Sequence, residues 1–264
     1  MKITSINNKR ILTLTKLYKS RERKKADSFL VEGYKECIRG IRSSFEVESV
    51  YYCPDIISEE HWNNIQPLLT ENVEIIELDK SVYEKLAYRQ DTEGIIALFK
   101  KKKFNIEELF HRKKKLLFLV LEGVEKPGNL GAVLRTADAA DVDAIFLTET
   151  KVDQYHPNVI RASLGGVFTI PVISLSNREV KDLLTSKKII TYAAALPSYH
   201  NMYDLDLKES IALIFGTEST GLDNFWLQNA DTTYTIPMQG IVDSLNISVS
   251  VAVSTYEVVR QRMV

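Results

Sequence analysis

Three segments in the second half of the chain place polar side chains beside apolar runs. They read EKPGNLGAVLRTADAA, LIFGTESTGL and IPMQGIVDSLNISVSVAV, and they begin at residues 125, 213 and 236. Their candidate catalytic side chains are Asn129, Arg135, Glu218, Ser244 and Asn246. An amide, a guanidinium, a carboxylate and a hydroxyl can anchor a substrate, stabilise a developing negative charge and accept a proton.

Each segment also has a purely structural interpretation. Asn129 follows the strand-breaking pair Pro127-Gly128 and can cap a helix, on which Arg135 would be a solvated residue. Taken alone, the first segment favours this structural interpretation, in which Asn129 is a helix cap and Arg135 is a solvated residue. The second has the G-x-x-x-x-G spacing of a P-loop, but Leu222 and Asp223 stand where Lys-Ser/Thr is required, so a Walker motif is excluded.

The third segment raises a question of secondary structure. Ile247, Val249, Val251 and Val253 alternate with small or polar residues, and this period predicts a half-buried strand. The run begins with a polar group, DSLN at residues 243–246, which a strand does not need.

Other chemistries have little support in the sequence. The four histidines are scattered, the two cysteines form no CxxC pair and no GxSxG motif occurs, so we expect no metal site and no nucleophilic hydrolase. No run of about 18 apolar residues and no secretory signal are evident. We therefore expect a reduced cytoplasmic protein without membrane contact.

Charge is unevenly distributed along the 264 residues. The net charge is −1, yet residues 1–42 hold 12 basic and only 4 acidic side chains. Such a segment favours contact with a polyanion, because phosphates attract it and release counterions on binding. A solvated helix face is the alternative.

The order of elements predicts two α/β domains. Short strands alternate with helices up to the lysine-rich stretch FKKKKFNIEELFHRKKK (residues 99–115), and we place a boundary near residue 110. Beyond it, nearly unbroken apolar strands alternate with helices, which is typical of a parallel sheet covered on both faces. In such sheets ligands bind at the carboxyl ends of the strands.

Taken together, NLGAVLR, FGTESTGL and IPMQGIVDSLNISVSVAV resemble the three motifs of the SpoU branch of the SPOUT RNA methyltransferases. The segment SFLVEGYKECI is similar to the opening of that family's substrate-binding domain, whose fold is like a ribosomal RNA-binding protein. The resemblance implies an RNA-binding domain over 1–110 and an α/β methyltransferase domain with a trefoil knot over 111–264. It also implies that the run after SLNIS is a helix.

The resemblance further implies S-adenosylmethionine as the cofactor. The residues implied to line its adenosine are Ala195, Leu196, Gly216, Ile236, Met238 and Leu245. By residue type alone, Ile236 and Met238 would be assigned to an ordinary core.

The implied acceptor is a ribose 2′-hydroxyl in RNA. The resemblance points to Arg135 as the residue that acts on this hydroxyl. Because a guanidinium is a poor base, we favour Arg135 as an anchor that stabilises the forming alkoxide, with the role of base as the alternative. The implied assembly is a homodimer with Arg135 and cofactor on different subunits. Ribosomal RNA of the large subunit is favoured over transfer RNA. A base nitrogen as acceptor and a non-catalytic ribosome factor remain alternatives.

Overall fold

The computed structural model describes residues 1–90, 93–217 and 220–263. Its contacts divide the chain into an N-terminal unit, Met1–Lys103 with Tyr155–Thr169, and a C-terminal unit, Phe104–Gln154 with Ile170–Val264. The segment Tyr155–Thr169 thus packs within the N-terminal unit although it lies in the second half of the chain.

Both units contain strands, which are numbered in chain order. They are β1 (Lys2–Ile3), β2 (Ser28–Glu32), β3 (Val47–Tyr52), β4 (Glu74–Leu78), β5 (Ile95–Lys100), β6 (Leu117–Glu122), β7 (Ala144–Thr148), β8 (Val172–Ser174), β9 (Ile190–Ala194), β10 (Ile211–Phe215) and β11 (Thr232–Tyr234). β2 to β11 overlap segments whose residue pattern predicts strands, whereas β1 (Lys2–Ile3) is not predicted.

Helices connect and cover these strands. They are α1 (Lys9–Lys16), α2 (Ser20–Lys25), α3 (Tyr34–Arg42), α4 (Glu59–Ile65), α5 (Lys80–Leu86), α6 (Ile106–Leu109), α7 (Pro127–Ala139), α8 (Pro157–Ala162), α9 (Asn177–Ser186), α10 (Asn224–Asn229) and α11 (Ile247–Met263), with 3-10 turns at Gln66–Leu68, Gly166–Phe168 and Met202–Asp204. Within the described ranges, no helix is long and apolar enough to cross a membrane.

The N-terminal unit is built on a five-stranded mixed sheet in the order β1-β4-β3-β5-β2. β1, β4 and β3 are parallel, whereas β5 runs antiparallel to both β3 and β2. Phe29 of β2 stacks on Tyr155, with ring centroids 4.1 Å apart, and on Phe168, at 6.2 Å. Aromatic packing therefore holds the segment 155–169 within this unit.

The C-terminal unit has a six-stranded, wholly parallel sheet in the order β11-β9-β10-β6-β7-β8. Every residue of β6 is buried, as a strand covered on both faces requires. On one face, Phe118 and Val120 pack in a cluster with Val180, Leu184 and Trp226 of α9 and α10. The predicted α/β class and parallel sheet are confirmed.

The C-terminal run is a helix, α11, so the strand prediction from its alternation is wrong. Its buried residues include Ile247, Val251, Ser254 and Val258, which recur every three or four positions as on one helix face. The Ser254 side chain can be buried without an unpaired hydroxyl, because that hydroxyl accepts a hydrogen bond of 2.9 Å from the Tyr234 hydroxyl. The helix implied by the family resemblance is the correct prediction.

The apolar run VFTIPVISL, residues 167–175, forms a strand only in part. Only Val172–Ser174 pairs as β8, while Gly166–Phe168 forms a 3-10 turn. Gly165, at φ +85°, starts that turn in a left-handed conformation that favours glycine. The turn places Phe168 in the aromatic core of the N-terminal unit.

The last turn of α11 is bonded to the beginning of the C-terminal unit. The Arg262 Nη2 donates to the carbonyl oxygen of Leu116 at 3.0 Å, directly before β6. Gln261 accepts from the backbone nitrogen of Leu207 and donates to the carbonyl of Leu205, both at 2.9 Å. We call Gln261 and Arg262 the C-terminal clamp.

Candidate active site

A cavity of about 330 Å³, here cavity A, lies at the carboxyl ends of β9, β10 and β11. These strands are parallel neighbours, so the loops that follow them meet at one edge of the sheet. All six residues implied to bind the cofactor line this cavity: Ala195, Leu196, Gly216, Ile236, Met238 and Leu245. Residues from three distant parts of the sequence thus form one wall.

Gly216 stands where the end of β10 passes very close to the following loop. A Cβ atom here would lie 2.2 Å from the carbonyl carbon and oxygen of Gly221, and 2.4 Å from the backbone nitrogen of Leu222. Backbone atoms cannot yield to such a contact, so the position requires glycine. Thr217 and Gly221 close the loop with two backbone hydrogen bonds of 3.0 Å.

The composition of cavity A suits a ligand with an apolar ring. Leu196, Leu222, Leu227, Ile236 and Met238 supply apolar surface, and the loop backbones supply polar groups. Pockets of this size and mixture are usual for small molecules. The residues present therefore fit a nucleoside-containing cofactor.

A second cavity of about 260 Å³, here cavity B, adjoins cavity A. It is lined by Gly123, Val124, Glu125, Lys126, Asn129, Thr217 and Ile247. Thr217 and Ile247 line both cavities. A ligand in cavity A and a ligand in cavity B would therefore face each other across these two residues.

Asn246 connects the first and third polar segments. Its side-chain nitrogen lies 3.4 Å from the Asn129 side-chain oxygen, a long hydrogen bond. Its own oxygen accepts from the backbone nitrogen of Ser248 at 2.9 Å and from the Ser248 hydroxyl at 2.6 Å. Asn246 thus caps the start of α11 and reaches Asn129, which lines cavity B.

Two further predicted catalytic residues have different positions. Ser244 lines cavity A, and its hydroxyl lies 3.4 Å from the Asp243 carboxylate. Glu218 lies outside the residues that the structure describes, although its neighbour Thr217 lines both cavities.

Arg135 lies apart from the other candidates. It is exposed on α7, lines neither cavity and forms no hydrogen bond or ion pair with the described residues. Asn129 and Arg135 are six residues apart, which places their side chains about 120° apart around the helix. The first polar segment therefore directs Asn129 to cavity B and Arg135 to the protein surface.

Glu122 is a structural residue of the site that the sequence analysis missed. This buried carboxylate at the end of β6 accepts from the Asn177 side chain at 2.5 Å and from the Asp223 backbone nitrogen at 2.8 Å. Asn177 in turn accepts from the Trp226 indole at 2.8 Å. The network holds the chain immediately after Leu222, a wall residue of cavity A. The signal available in the sequence was a glutamate at the end of an otherwise apolar strand, LFLVLE.

Comparison with known families agrees with the arrangement of the site. The profile described as the SpoU rRNA Methylase family matches residues 116–256, more than half of the chain and all three polar segments. The chain belongs to the SpoU rRNA methylase family. The profile of the MRM3-like substrate binding domain matches residues 8–97 of this SpoU protein, so its N-terminal part is of the expected kind.

Individual relatives of the SpoU protein support the same conclusion. It is 32% identical over 209 residues to the 23S rRNA (guanosine-2'-O-)-methyltransferase RlmB of Haemophilus influenzae, covering 75% of this chain and 85% of that one. A crystal structure of an RNA 2'-O ribose methyltransferase is 36% identical, with 100% of both chains covered and a TM-score of 0.85. The expected enzyme class, an RNA methyltransferase, is confirmed.

A more distant solved structure shows the shared fold. The SpoU methyltransferase AviRb from Streptomyces viridochromogenes, in complex with AdoMet, is 23% identical. Its alignment covers 97% of the SpoU protein described here and 99% of AviRb, with a TM-score of 0.89.

Proposed function

We propose that this SpoU protein transfers a methyl group from S-adenosylmethionine to the 2′-hydroxyl of a guanosine ribose in large-subunit ribosomal RNA. The observation that carries the proposal is the pair of cavities that share Thr217 and Ile247. The RNA class and the nucleoside are those named for the RlmB relative.

Cavity A would hold the cofactor, which AviRb carries in its crystal structure. When bound, S-adenosylmethionine supplies an electrophilic methyl group on a positively charged sulfur. Leu196, Ile236 and Met238 offer apolar surface to the adenine, while Gly216 allows the ligand to approach the backbone. Ala195 and Leu245 complete the wall.

Cavity B would hold the acceptor nucleotide. Methyl transfer is an in-line displacement, so the hydroxyl oxygen must face the methyl group across the boundary formed by Thr217 and Ile247. Asn129 and Asn246 orient the ribose there, because each side chain is already positioned by the contact between them.

The remaining polar residues stabilise the forming alkoxide or accept the proton that the 2′-hydroxyl loses. Arg135 stabilises the alkoxide that forms as the 2′-hydroxyl loses its proton, since a guanidinium donates hydrogen bonds but does not accept protons. Glu218 accepts the proton or holds a partner in place, and Ser244 donates to the reacting groups from the wall of cavity A.

The position of Arg135 leads to a proposal about assembly. Because Arg135 lines neither cavity of its own chain, a second copy of the protein would supply it to the site. α11 packs against α7 and exposes Val249, Tyr256 and Met263 by 45%, 50% and 80% on one face. Such an apolar row on a helix suits association with an identical copy.

This exposed row differs from the contact face that small residues in the sequence indicate, which is Ser248, Ala252 and Thr255. Thr255 is fully buried within its own chain and cannot contact a partner. Tyr256→Arg should therefore convert a dimer to a monomer in sedimentation velocity and abolish methyl transfer. Tyr203→Arg, at a tyrosine that is 54% exposed elsewhere in the same unit, is the control. A wild-type monomer that methylates RNA at micromolar concentration would disprove the dimer.

We also propose the trefoil knot and the domain roles. β11 is an edge strand, yet the chain then returns through residues 235–246 so that α11 contacts the interior strand β10 and Arg262 reaches Leu116. This path supports a threaded C-terminus. Residues 1–110 would bind RNA in the cytoplasm, and residues 111–264 would carry out the transfer.

Labelled S-adenosylmethionine, the purified protein and rRNA from a strain lacking the gene test the function. We expect label at one ribose of large-subunit rRNA, at a guanosine that mass spectrometry finds unmethylated in that strain. Label in transfer RNA alone would overturn the RNA class, and label on a base nitrogen would overturn the acceptor. RNA binding without any transfer would identify a non-catalytic ribosome factor.

A further inference from the structure

The wall of cavity B carries a carboxylate that the proposed transfer does not use. Glu125 lines this cavity together with Lys126 and Asn129. Among the described residues on that wall, Glu125 is the only one with a carboxylate, a group that accepts hydrogen bonds and donates none. Its carboxylate forms no hydrogen bond or ion pair with any described residue.

The backbone at Glu125 is held in place although its side chain is exposed. Val124 is only 3% exposed, and its carbonyl oxygen accepts from the Thr150 hydroxyl at 2.6 Å. Gly123, at φ +65°, turns the chain immediately after β6. The carboxylate therefore starts from a fixed main chain at the rim of cavity B, which is the arrangement expected of a recognition group.

The chemistry of the four RNA bases limits what such a group selects. Guanine presents two adjacent donors, N1–H and N2–H, with no acceptor between them, and these match the two oxygens of a carboxylate. Adenine and cytosine place a ring-nitrogen acceptor beside their amino group, and uracil places its single donor between two carbonyl oxygens. A carboxylate gains at most one hydrogen bond from each of those three bases. Its second oxygen then faces an acceptor atom of the base, and the two repel each other.

We infer that Glu125 reads the Watson–Crick edge of the target guanine and makes the enzyme selective for guanosine. This rests on the proposed function, because cavity B must receive the acceptor nucleotide. Lys126 lines the same cavity, and its ammonium group donates hydrogen bonds without accepting any. Such a donor matches the guanine O6 atom, an acceptor that lies beside N1. Unpaired bases in RNA are commonly recognised by hydrogen bonds to this edge.

The test uses the full-length protein and a synthetic RNA fragment that the wild-type enzyme methylates, made with guanosine or inosine at the target. Inosine lacks the N2 amino group and removes one hydrogen bond to the carboxylate. We expect wild-type kcat/KM to fall about tenfold with inosine, the value of one charge-assisted hydrogen bond. Glu125→Gln should lose roughly 10- to 100-fold on guanosine and discriminate little between the two fragments.

Controls separate base recognition from other effects. Asp138→Asn, which removes an exposed carboxylate of α7 that lines neither cavity, should retain both the activity and the inosine penalty. Cofactor affinity and thermal stability should be unchanged in Glu125→Gln, because Glu125 is exposed and does not line cavity A.

Two results would overturn the inference while leaving the methyl transfer itself intact. One is a target nucleotide that maps to adenosine, cytidine or uridine. The other is a Glu125→Gln enzyme that keeps the wild-type penalty for inosine. If the wild-type protein methylates no RNA, the proposed function fails instead.

Discussion

The two units of the protein use sheets of different kinds. In the C-terminal unit all strands run parallel, so the loops after β9, β10 and β11 converge at one edge and form cavity A. In the N-terminal unit β5 runs antiparallel between β3 and β2, so loops that follow successive strands are divided between two edges. Strand direction thus decides which unit can gather the loops that line a cavity.

The two units also differ in charge. The basic tract of residues 1–42 lies in the N-terminal unit, whereas the C-terminal unit, residues 104–154 and 170–264, holds 14 basic and 19 acidic side chains. We therefore expect attraction of the RNA and the chemistry on it to be properties of separate parts. Substitutions in one part should leave the function of the other intact.

The largest effect is expected at Gly216. Gly216→Ala would push a methyl group against the backbone of Gly221 and Leu222, both wall residues of cavity A, and should weaken cofactor binding by about 100-fold. Isothermal titration calorimetry with S-adenosylmethionine measures this. Gly128→Ala is the control, because a Cβ there meets nothing within 4 Å. Unchanged affinity in Gly216→Ala would disprove the role of cavity A.

A smaller effect, confined to turnover, is expected at Arg135. Arg135→Ala should lower kcat by at least about tenfold with little change in cofactor affinity, because the guanidinium acts on charge that develops during the transfer. Arg178→Ala, at an exposed arginine of α9 in the same unit, should have no such effect. A loss of activity explained wholly by weaker cofactor binding would contradict this assignment.

Substitutions in the basic tract of the N-terminal unit should change the affinity for RNA alone. Reversing the exposed Lys24 and Lys25 to Glu should weaken binding at low salt. The slope of log affinity against log salt concentration should also fall by about one for each lost phosphate contact. Fluorescence anisotropy measures both quantities. The pair Lys80→Glu and Lys85→Glu, exposed on α5 outside the basic tract, provides the control. Equal losses in both variants would mean that the tract is no specific RNA contact.

The smallest effect concerns the stability of the N-terminal unit. The Glu74 carboxylate accepts from Arg10 Nη2 at 2.6 Å, and this hydrogen bond lowers the pKa of Glu74 below its usual 4.5. A lowered pKa stabilises the folded state above the unfolded pKa and loses that contribution as the pH falls through the folded pKa.

Glu74→Gln should therefore cost at most about 0.5 kcal/mol at pH 7, because the pair is partly exposed. The difference from wild type in urea unfolding should diminish towards pH 4. A difference that grows as the pH falls would contradict the sign of the pKa shift.

Much of the fold could be predicted because apolar runs in α/β proteins are long and regularly spaced. The exceptions have physical causes. In α11 the alternating residues do not share one helix face, because Ile247 and Val251 are buried whereas Val249 is 45% exposed. The capping contacts of Asn246 begin a helix at this point. Arg23, within the basic tract, is buried and donates to the Leu17 carbonyl oxygen at 2.7 Å, so it is not an RNA contact.

The site was predictable only in part. Through their family resemblance the three segments located the walls of both cavities: the second and third line cavity A, and the first lines cavity B. They did not show which of Asn129 and Arg135 faces a cavity, since that depends on the rotation of α7. Nor did they reveal Glu122, whose importance lies in contacts with Asn177 and Asp223 that are far away in sequence.

The C-terminal clamp has a consequence for synthesis on the ribosome. The partner of Leu116 is Arg262, which is made 146 residues later. At about 5–20 residues per second, roughly 7–30 s separate the two. Once β10 has been made, it lies without the helix that finally contacts it until α11 follows. A chain that stops before Gln261 would keep every cavity residue and still lack the clamp, so translation past Arg262 is a condition for closing the unit.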